Sequence, residues 1–173
     1  GFGMKGGCYA EYPLSLWAAE MLGRPVKWVS ERSDALLADE QARDHLYEAE
    51  LALDSDGTFL GLRTRNITNI GAYYTSDRAT LGAFDSLGGI AGTYKTPALY
   101  AVASGVMTNT QSTGPYRGAG RPEAAYIIES MIDAAARELK MDSVEIRRRN
   151  TIPADAMPFK TGLTFTYDSG DFL

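Results

Sequence analysis

Gly114-Pro-Tyr-Arg-Gly-Ala-Gly-Arg-Pro-Glu123 reads as a loop that runs into a helix. Gly114, Gly118 and Gly120 let the backbone turn sharply and let a ligand come close. Pro122 suits the first helical position, and Glu123 favours the positive end of the helix dipole. From Ala124 the pattern is helical. Ala124, Ile127, Ile128, Met131, Ala135 and Leu139 form an apolar stripe, and Glu129, Asp133, Arg137 and Lys140 keep the other side wet. Arg117 and Arg121 flank the glycines. A glycine-rich loop with two arginines at a helix N-terminus suits an anionic ligand. The plainer alternative is an ordinary turn with solvated arginines.

Upstream, Leu99 to Thr108 reads as a broadly buried strand that delivers the chain to this loop. Further back, Tyr47, Ala49, Leu51 and Leu53 share one strand face. Asp54-Ser-Asp-Gly57 signals a turn, and Phe59 to Ile67 returns, giving an antiparallel hairpin. Glu48 and Glu50 share the other face and are read as solvated rather than as an acid–base pair. Asn69 to Gly92 predicts loops and a short helix. Downstream, Asp142 can cap a second short helix that ends near Asn150. Helices mixed with antiparallel strands give an α+β fold: a mixed, largely antiparallel sheet with packed helices. Residues 1–150 form the core. Residues 151–173, with Pro153, Pro158, Gly162 and Gly170, form an extended tail expected to pack only with the rest of a parent chain.

At the start, Leu14, Trp17, Ala18 and Met21 fall on one helical face. Gly23-Arg-Pro25 ends that helix, and Pro25 to Ser30 predicts a short strand. Ser33 to Gln41 predicts a short helix capped by Ser33. Gly1-Phe-Gly-Met-Lys-Gly6 also matches G-x-G-x-x-G, so nicotinamide-nucleotide binding through Gly1 to Gly6, with Glu31 on the ribose, is one alternative. It lacks a preceding strand, and Glu31 comes later than the usual spacing of about 20 residues. The other alternative is a non-catalytic interaction domain using Arg147-Arg148-Arg149 and the tail.

The chain has 173 residues, 45% hydrophobic and 23% charged, enough for about one domain with a core. A net charge of −5 gives no electrostatic case for nucleic acid. No apolar run approaches the roughly 20 residues that span a bilayer. The single cysteine, Cys8, is read as a small buried residue, and His45, the only histidine, as structural. No zinc-ligand spacing is present. The chain opens on Gly in mid-motif and is read as a fragment of a longer polypeptide.

Three stretches carry a family resemblance. Tyr116-Arg-Gly-Ala-Gly-Arg121 resembles the active-site loop of the molybdopterin-binding large subunit of the xanthine dehydrogenase, aldehyde oxidase and aerobic carbon-monoxide dehydrogenase family. Gly1-Phe-Gly-Met-Lys5 resembles the end of that family's glycine-rich cofactor loop. Asp142-Ser-Val-Glu-Ile-Arg-Arg-Arg-Asn150, then Thr161-Gly-Leu163 and Tyr167-Asp-Ser-Gly-Asp171, match its third motif in the family's order. The resemblance implies a molybdenum hydroxylase that inserts oxygen from water into a small substrate, such as an aldehyde, an N-heterocycle or a CO-like molecule. It implies cofactor contacts from Gly1, Phe2, Gly3, Arg117, Gly118, Ala119 and Gly120, with the amides of 118 to 120 as donors. The cofactor would be molybdenum-molybdopterin, often in its cytosine-dinucleotide form. Iron–sulfur (2Fe-2S) and flavin (FAD) centres are expected on separate subunits of a cytoplasmic heterotrimer that dimerises.

The departures from the family pattern are informative. Copper-containing carbon-monoxide dehydrogenases carry a cysteine at the position of Gly118. Xanthine oxidoreductases carry phenylalanine at Ala119 and glutamate at Gly6. Purine-oxidising members also have an arginine that an ungapped reading sets at Ser76, with Arg78 close by. The Gly-Ala-Gly-Arg form resembles instead the second class of carbon-monoxide-dehydrogenase-like proteins. The family's catalytic glutamate, near the C-terminus of the full subunit, has no match here. The isolated segment is therefore expected to be inactive and to bind cofactor poorly.

Overall fold

A computed structural model describes residues 3–75 and 77–173. Two helices come first, α1 (Glu11–Leu22) and α2 (Arg32–Ala38), then strands β1 (His45–Leu53) and β2 (Phe59–Gly71). Helix α3 (Leu81–Gly89) leads to β3 (Leu99–Met107), and α4 (Arg121–Leu139) and α5 (Ser143–Asn150) follow. The short strands β4 (Phe159–Lys160) and β5 (Thr166–Tyr167) pair near the end.

The sheet has the order β1-β2-β3. The expected hairpin is present, with Glu50 opposite Arg63 and Glu48 opposite Arg65. The fold is α+β as predicted, but β3 joins β2 in parallel, with Leu62 opposite Leu99 and Gly71 opposite Met107. A parallel partner needs a crossover. Residues 72–98 provide it, and they contain α3 where loops and a short helix were expected.

One face of the sheet is packed and the other is wet. Leu62, Thr64, Asn66, Thr68 and Ile70 of β2 alternate inward and are buried. Phe59, Leu62, Ile90, Tyr94, Ile128, Ile132 and Ile146 form the centre of the core, under α4 and α5. Each such fully buried side chain contributes about 1.5–3 kcal/mol. The buried α4 positions are Ala124, Ile128, Ile132, Ala135 and Ala136, so the predicted stripe is displaced by one residue toward Ile132 and Ala136.

Several expectations change. Pro25 to Ser30 is not a strand, and Val29 is exposed. Val and Trp favour strands only where a half-buried pleated surface receives them, and no described strand runs beside this segment. α2 starts at Arg32, with Glu31 rather than Ser33 at its cap, and ends before Gln41. Leu14, Trp17 and Met21 of α1 are exposed rather than buried, because no described element covers that face. Tyr100 and Val106 of β3 are also exposed, since they point to the wet side of the sheet. Cys8 is exposed, in an extended stretch before α1. No helix among the described residues is long and apolar enough to cross a membrane.

The hairpin turn depends on one carboxylate. Asp54 Oδ1 accepts from the Thr58 amide at 2.8 Å and the Asp56 amide at 3.0 Å. The Thr58 amide, above all, holds the Asp54 carboxyl below its ordinary value. The folded value is depressed, so the turn's contribution is fully present above the ordinary 3.8 and is lost as pH falls through the lower folded value. Asp54→Asn is expected to remove that acid dependence, read by NMR titration of the Thr58 amide.

Candidate functional site

The loop after β3 is laced to its surroundings before it reaches the glycines. Thr113 N donates to Ile70 O at 3.1 Å, Gln41 N to Ser112 O at 2.9 Å and Gly114 N to Gln41 O at 2.9 Å. Gly114 is required by a neighbour. A Cβ there would lie 1.9 Å from Glu40 Oε2. The Glu40 carboxylate is buried against that Cα and accepts from the Thr75 hydroxyl.

Beyond Tyr116 the backbone turns left-handed three times running. φ is +94° at Gly118, +41° at Ala119 and +88° at Gly120. Only glycine takes such values freely, so two of the three positions carry it. The Ala119 amide donates to Tyr116 O at 2.6 Å, and the Arg121 amide to Gly118 O at 3.1 Å. The predicted donor at Ala119 is thus engaged inside the loop. Among the described residues the Gly118 and Gly120 amides have no backbone acceptor. They lie at the N-terminus of α4, whose cap has no side-chain hydrogen bond. Left-handed turns at a helix N-terminus gather N–H groups into an anion-binding concavity.

Gly3 approaches this loop. Gly3 lies in a short 3-10 turn, Gly3–Gly6, with φ +64°. A Cβ on it would lie 3.5 Å from the Pro115 carbonyl oxygen. Gly3 and the start of the 114–120 loop, far apart in the chain, therefore meet. Gly1 and Phe2 lie outside the described residues. Nearby is a cavity of about 270 Å³, lined by Met4, Glu40, Gln41, Arg43, Gly114 and Tyr116. The Arg117 side chain is exposed. Arg121 turns back, with Nη1 2.9 Å from Ala119 O and its guanidinium 5.9 Å over the Phe165 ring. At Gly6 a Cβ would lie 1.7 Å from Arg78 Nη1, so the Arg78 guanidinium fills that space.

Arg43 was not singled out from sequence. It has φ +64°, and its side chain reaches three parts of the loop. Nη2 donates to the Arg117 carbonyl, Nε lies 3.3 Å from Glu123 Oε1, and the guanidinium sits 4.9 Å from the centre of the Tyr116 ring. His45 lies beneath. Its Nδ1 is 2.9 Å from Thr68 Oγ1 and 3.3 Å from Asn66 Oδ1, and its Nε2 is 3.8 Å from Glu123 Oε1. These contacts fit the expected structural role.

Other candidates resolve into structure. Arg147 pairs with Glu129 and Asp133, each at 2.8 Å. Burial opposes its charge, but the two carboxylates outweigh that and hold the guanidinium above its ordinary value. Arg148 and Arg149 pair with Glu145 at 3.6 and 3.3 Å. Burial, and then the bond to Glu129, push the Tyr94 phenol up. A groove of about 490 Å³ crosses the wet face of the sheet at Glu48, Glu50, Arg63, Arg65 and Tyr100. Arg63 Nε donates to Glu50 Oε2 at 2.6 Å, which pairs those two charges across the strands.

The Molybdopterin cofactor-binding domain family matches residues 1–151. The gamma subunit of the 6-hydroxypseudooxynicotine dehydrogenase complex of Paenarthrobacter nicotinovorans is 35% identical over 99% of this chain. The carbon monoxide dehydrogenase large chain of Hydrogenophaga pseudoflava is 38% identical over 99% of it. The crystal structure of quinoline 2-oxidoreductase from Pseudomonas putida 86 superposes over 100% of the chain with a TM-score of 0.93 and 37% identity. The chain spans 22% of the length of each. It therefore belongs to the molybdopterin cofactor-binding domain family, with relatives among carbon monoxide dehydrogenase large chains and xanthine dehydrogenase molybdenum-binding subunits.

Proposed function

We propose that Gly1, Phe2, Gly3, Arg117, Gly118, Ala119 and Gly120 form one wall of a molybdenum-molybdopterin site in the large subunit of a hydroxylase. The observation that carries this reading is the approach of Gly3 to the Pro115 carbonyl, which brings the N-terminal segment against the loop that leads into α4. The residues fit an anionic cofactor. Gly118 and Gly120 offer amides in a left-handed turn, and a side chain at Gly118 would run into Pro122 Cγ at 2.5 Å. Ala119 contributes by shaping the turn, its amide being engaged with Tyr116.

In this reading Arg117 contacts the cofactor's anionic groups and Gly118 and Gly120 donate to it, while Gly3 allows the backbone to come close. The bound group supplies the redox chemistry, oxidising a small substrate with oxygen drawn from water. The acid–base residue lies in the remainder of the subunit, and this segment alone is inactive. Gly118 offers no thiolate for copper. Ala119 in place of phenylalanine, and Gly6 covered by Arg78, argue against purines as substrate. An aldehyde, an N-heterocycle or a CO-like molecule is the substrate class. The pterin is the cytosine-dinucleotide form. Iron–sulfur and FAD subunits complete a cytoplasmic heterotrimer that dimerises. The tail, 151–173, completes its packing against the rest of that subunit. Nicotinamide binding at Gly1 to Gly6 is disfavoured, since residues 23–31 form no strand that could carry Glu31 to a ribose.

The test is molybdenum and pterin content of the full-length subunit purified from its own host. Wild type is expected to hold about one molybdenum per large subunit, and Arg117→Ala to lose it by about tenfold. A wild-type protein without molybdenum, from a host whose cofactor pathway works, would overturn the reading.

A further inference from the structure

We infer that Arg43 locks the 116–123 loop into its binding conformation. It is a positioning residue, and the inference rests on the reading of 117–120 as a cofactor wall.

The loop's own bonds are local. Its turn is closed by the Ala119 amide on Tyr116 and the Arg121 amide on Gly118, and braced by the Arg121 side chain on Ala119. Two glycines in three residues carry a large conformational entropy that must be lost before the amides converge. Arg43 restrains the segment on both sides of those glycines. It stacks on Tyr116, bonds the carbonyl of Arg117, and pairs with Glu123 in the first turn of α4. One planar guanidinium makes all three contacts, which an ammonium cannot.

The pairing with Glu123 is not a loose surface contact. The Glu123 side chain is 11% exposed, and its Oε2 is buried without a hydrogen-bond partner among the described residues. That charge has the Arg43 guanidinium at 3.3 Å as its compensation, and His45 Nε2 lies 3.8 Å away. Removing Arg43 leaves a shielded carboxylate at the base of the loop. The backbone supports the same role. Arg43 adopts a left-handed conformation that arginine rarely takes, and residues held so persist where the surroundings determine them. Preorganising a binding loop raises affinity by removing an ordering cost at the moment of binding.

The experiment uses the full-length enzyme as wild type, Arg43→Ala and Arg43→Lys, each grown with and without molybdenum. Amide hydrogen exchange of residues 116–121 is read on the molybdenum-free protein, so that cofactor loss cannot itself cause loosening. Molybdenum and pterin content is read on the molybdenum-grown protein. Arg43→Ala is expected to speed exchange of the loop about tenfold with the β1–β2 ladder unchanged, and to lower cofactor content about fivefold. Arg43→Lys is expected to fall between, since it keeps the charge near Glu123 but loses the fork. Unchanged loop exchange in Arg43→Ala overturns the lock, whatever the molybdenum content. Faster exchange in the ladder for both variants also overturns it, since Arg43 then supports the fold at large. A loosened loop with full cofactor content overturns the link to binding. If Arg117→Ala also retains its cofactor, the cofactor-wall reading falls instead.

Discussion

Asn150→Ala is expected to destabilise the domain by about 3 kcal/mol and to free the Phe59 amide to exchange. Asn150 is 1% exposed and last in α5. Its Oδ1 accepts from Phe59 N at 2.8 Å, and its Nδ2 donates to Gly57 O and Ile146 O, each at 2.8 Å. Its backbone carbonyl also accepts from Lys95 N at 2.9 Å. One amide thus ties the hairpin turn to α5. Alanine would leave the Phe59 N–H and the Gly57 C=O buried and unpaired, and each orphan costs about 1–3 kcal/mol. Asn150→Asp keeps the acceptor but turns a carboxylate oxygen toward two carbonyls, so it is expected to do no better. Thermal unfolding of the purified subunit, together with exchange at Phe59, checks both. If Asn150→Ala melts with wild type and Phe59 stays protected, the bridge carries little.

Gly71→Ala is expected to cost about 4 kcal/mol or more and to displace the candidate site. Gly71 ends β2 with φ +88°. A Cβ there would lie 2.4 Å from Gln111 O and 2.5 Å from Ser112 Cα, both main-chain atoms that cannot rotate away. Thr108 N donates to Gly71 O at 3.0 Å, and Ala72 N to Thr110 O at 3.0 Å. The methyl would therefore push apart the segment that delivers Gly114 against Glu40. Gly23→Ala is the control. It has φ +61° with nothing within 4 Å of the added carbon, so it carries strain without the clash, about 1 kcal/mol. Equal losses of Tm for the two would mean that conformation alone, and not the approach of 111–112, makes glycine necessary at 71.

The hairpin, β3, α4 and the Asp142 cap were legible because each has a local signature. Asp142 Oδ1 accepts from Val144 N and Glu145 N at 2.9 and 3.0 Å, as its place before the helix predicts. The loop at 114–123 was legible too, through its glycines and proline. What stayed hidden depends on distant partners. Nothing in Leu99–Met107 announces that it pairs in parallel with β2, because periodicity gives faces and not directions. The short helix expected within Asn69 to Gly92 is α3, but its bounds could not be read, because Gly82, Gly88 and Gly89 leave it little periodicity. The strand expected at Pro25–Ser30 failed for the converse reason, a local preference with no neighbour to satisfy it. Arg43 was invisible because a lone arginine before a strand has no pattern. Only the fold brings it over Tyr116 and onto Glu123.

The uncovered side of the molecule also determines what light can report. Both tryptophans lie there, Trp17 at 60% and Trp28 at 50% exposed, and neither touches the isoleucine centre of the core. Their emission therefore follows the polarity around α1 and the segment after it. A blue shift on assembly with the remaining polypeptide would time the covering of this side. The opening of the core would pass almost unseen in the same channel, and a buried phenol such as Tyr94 is its better reporter.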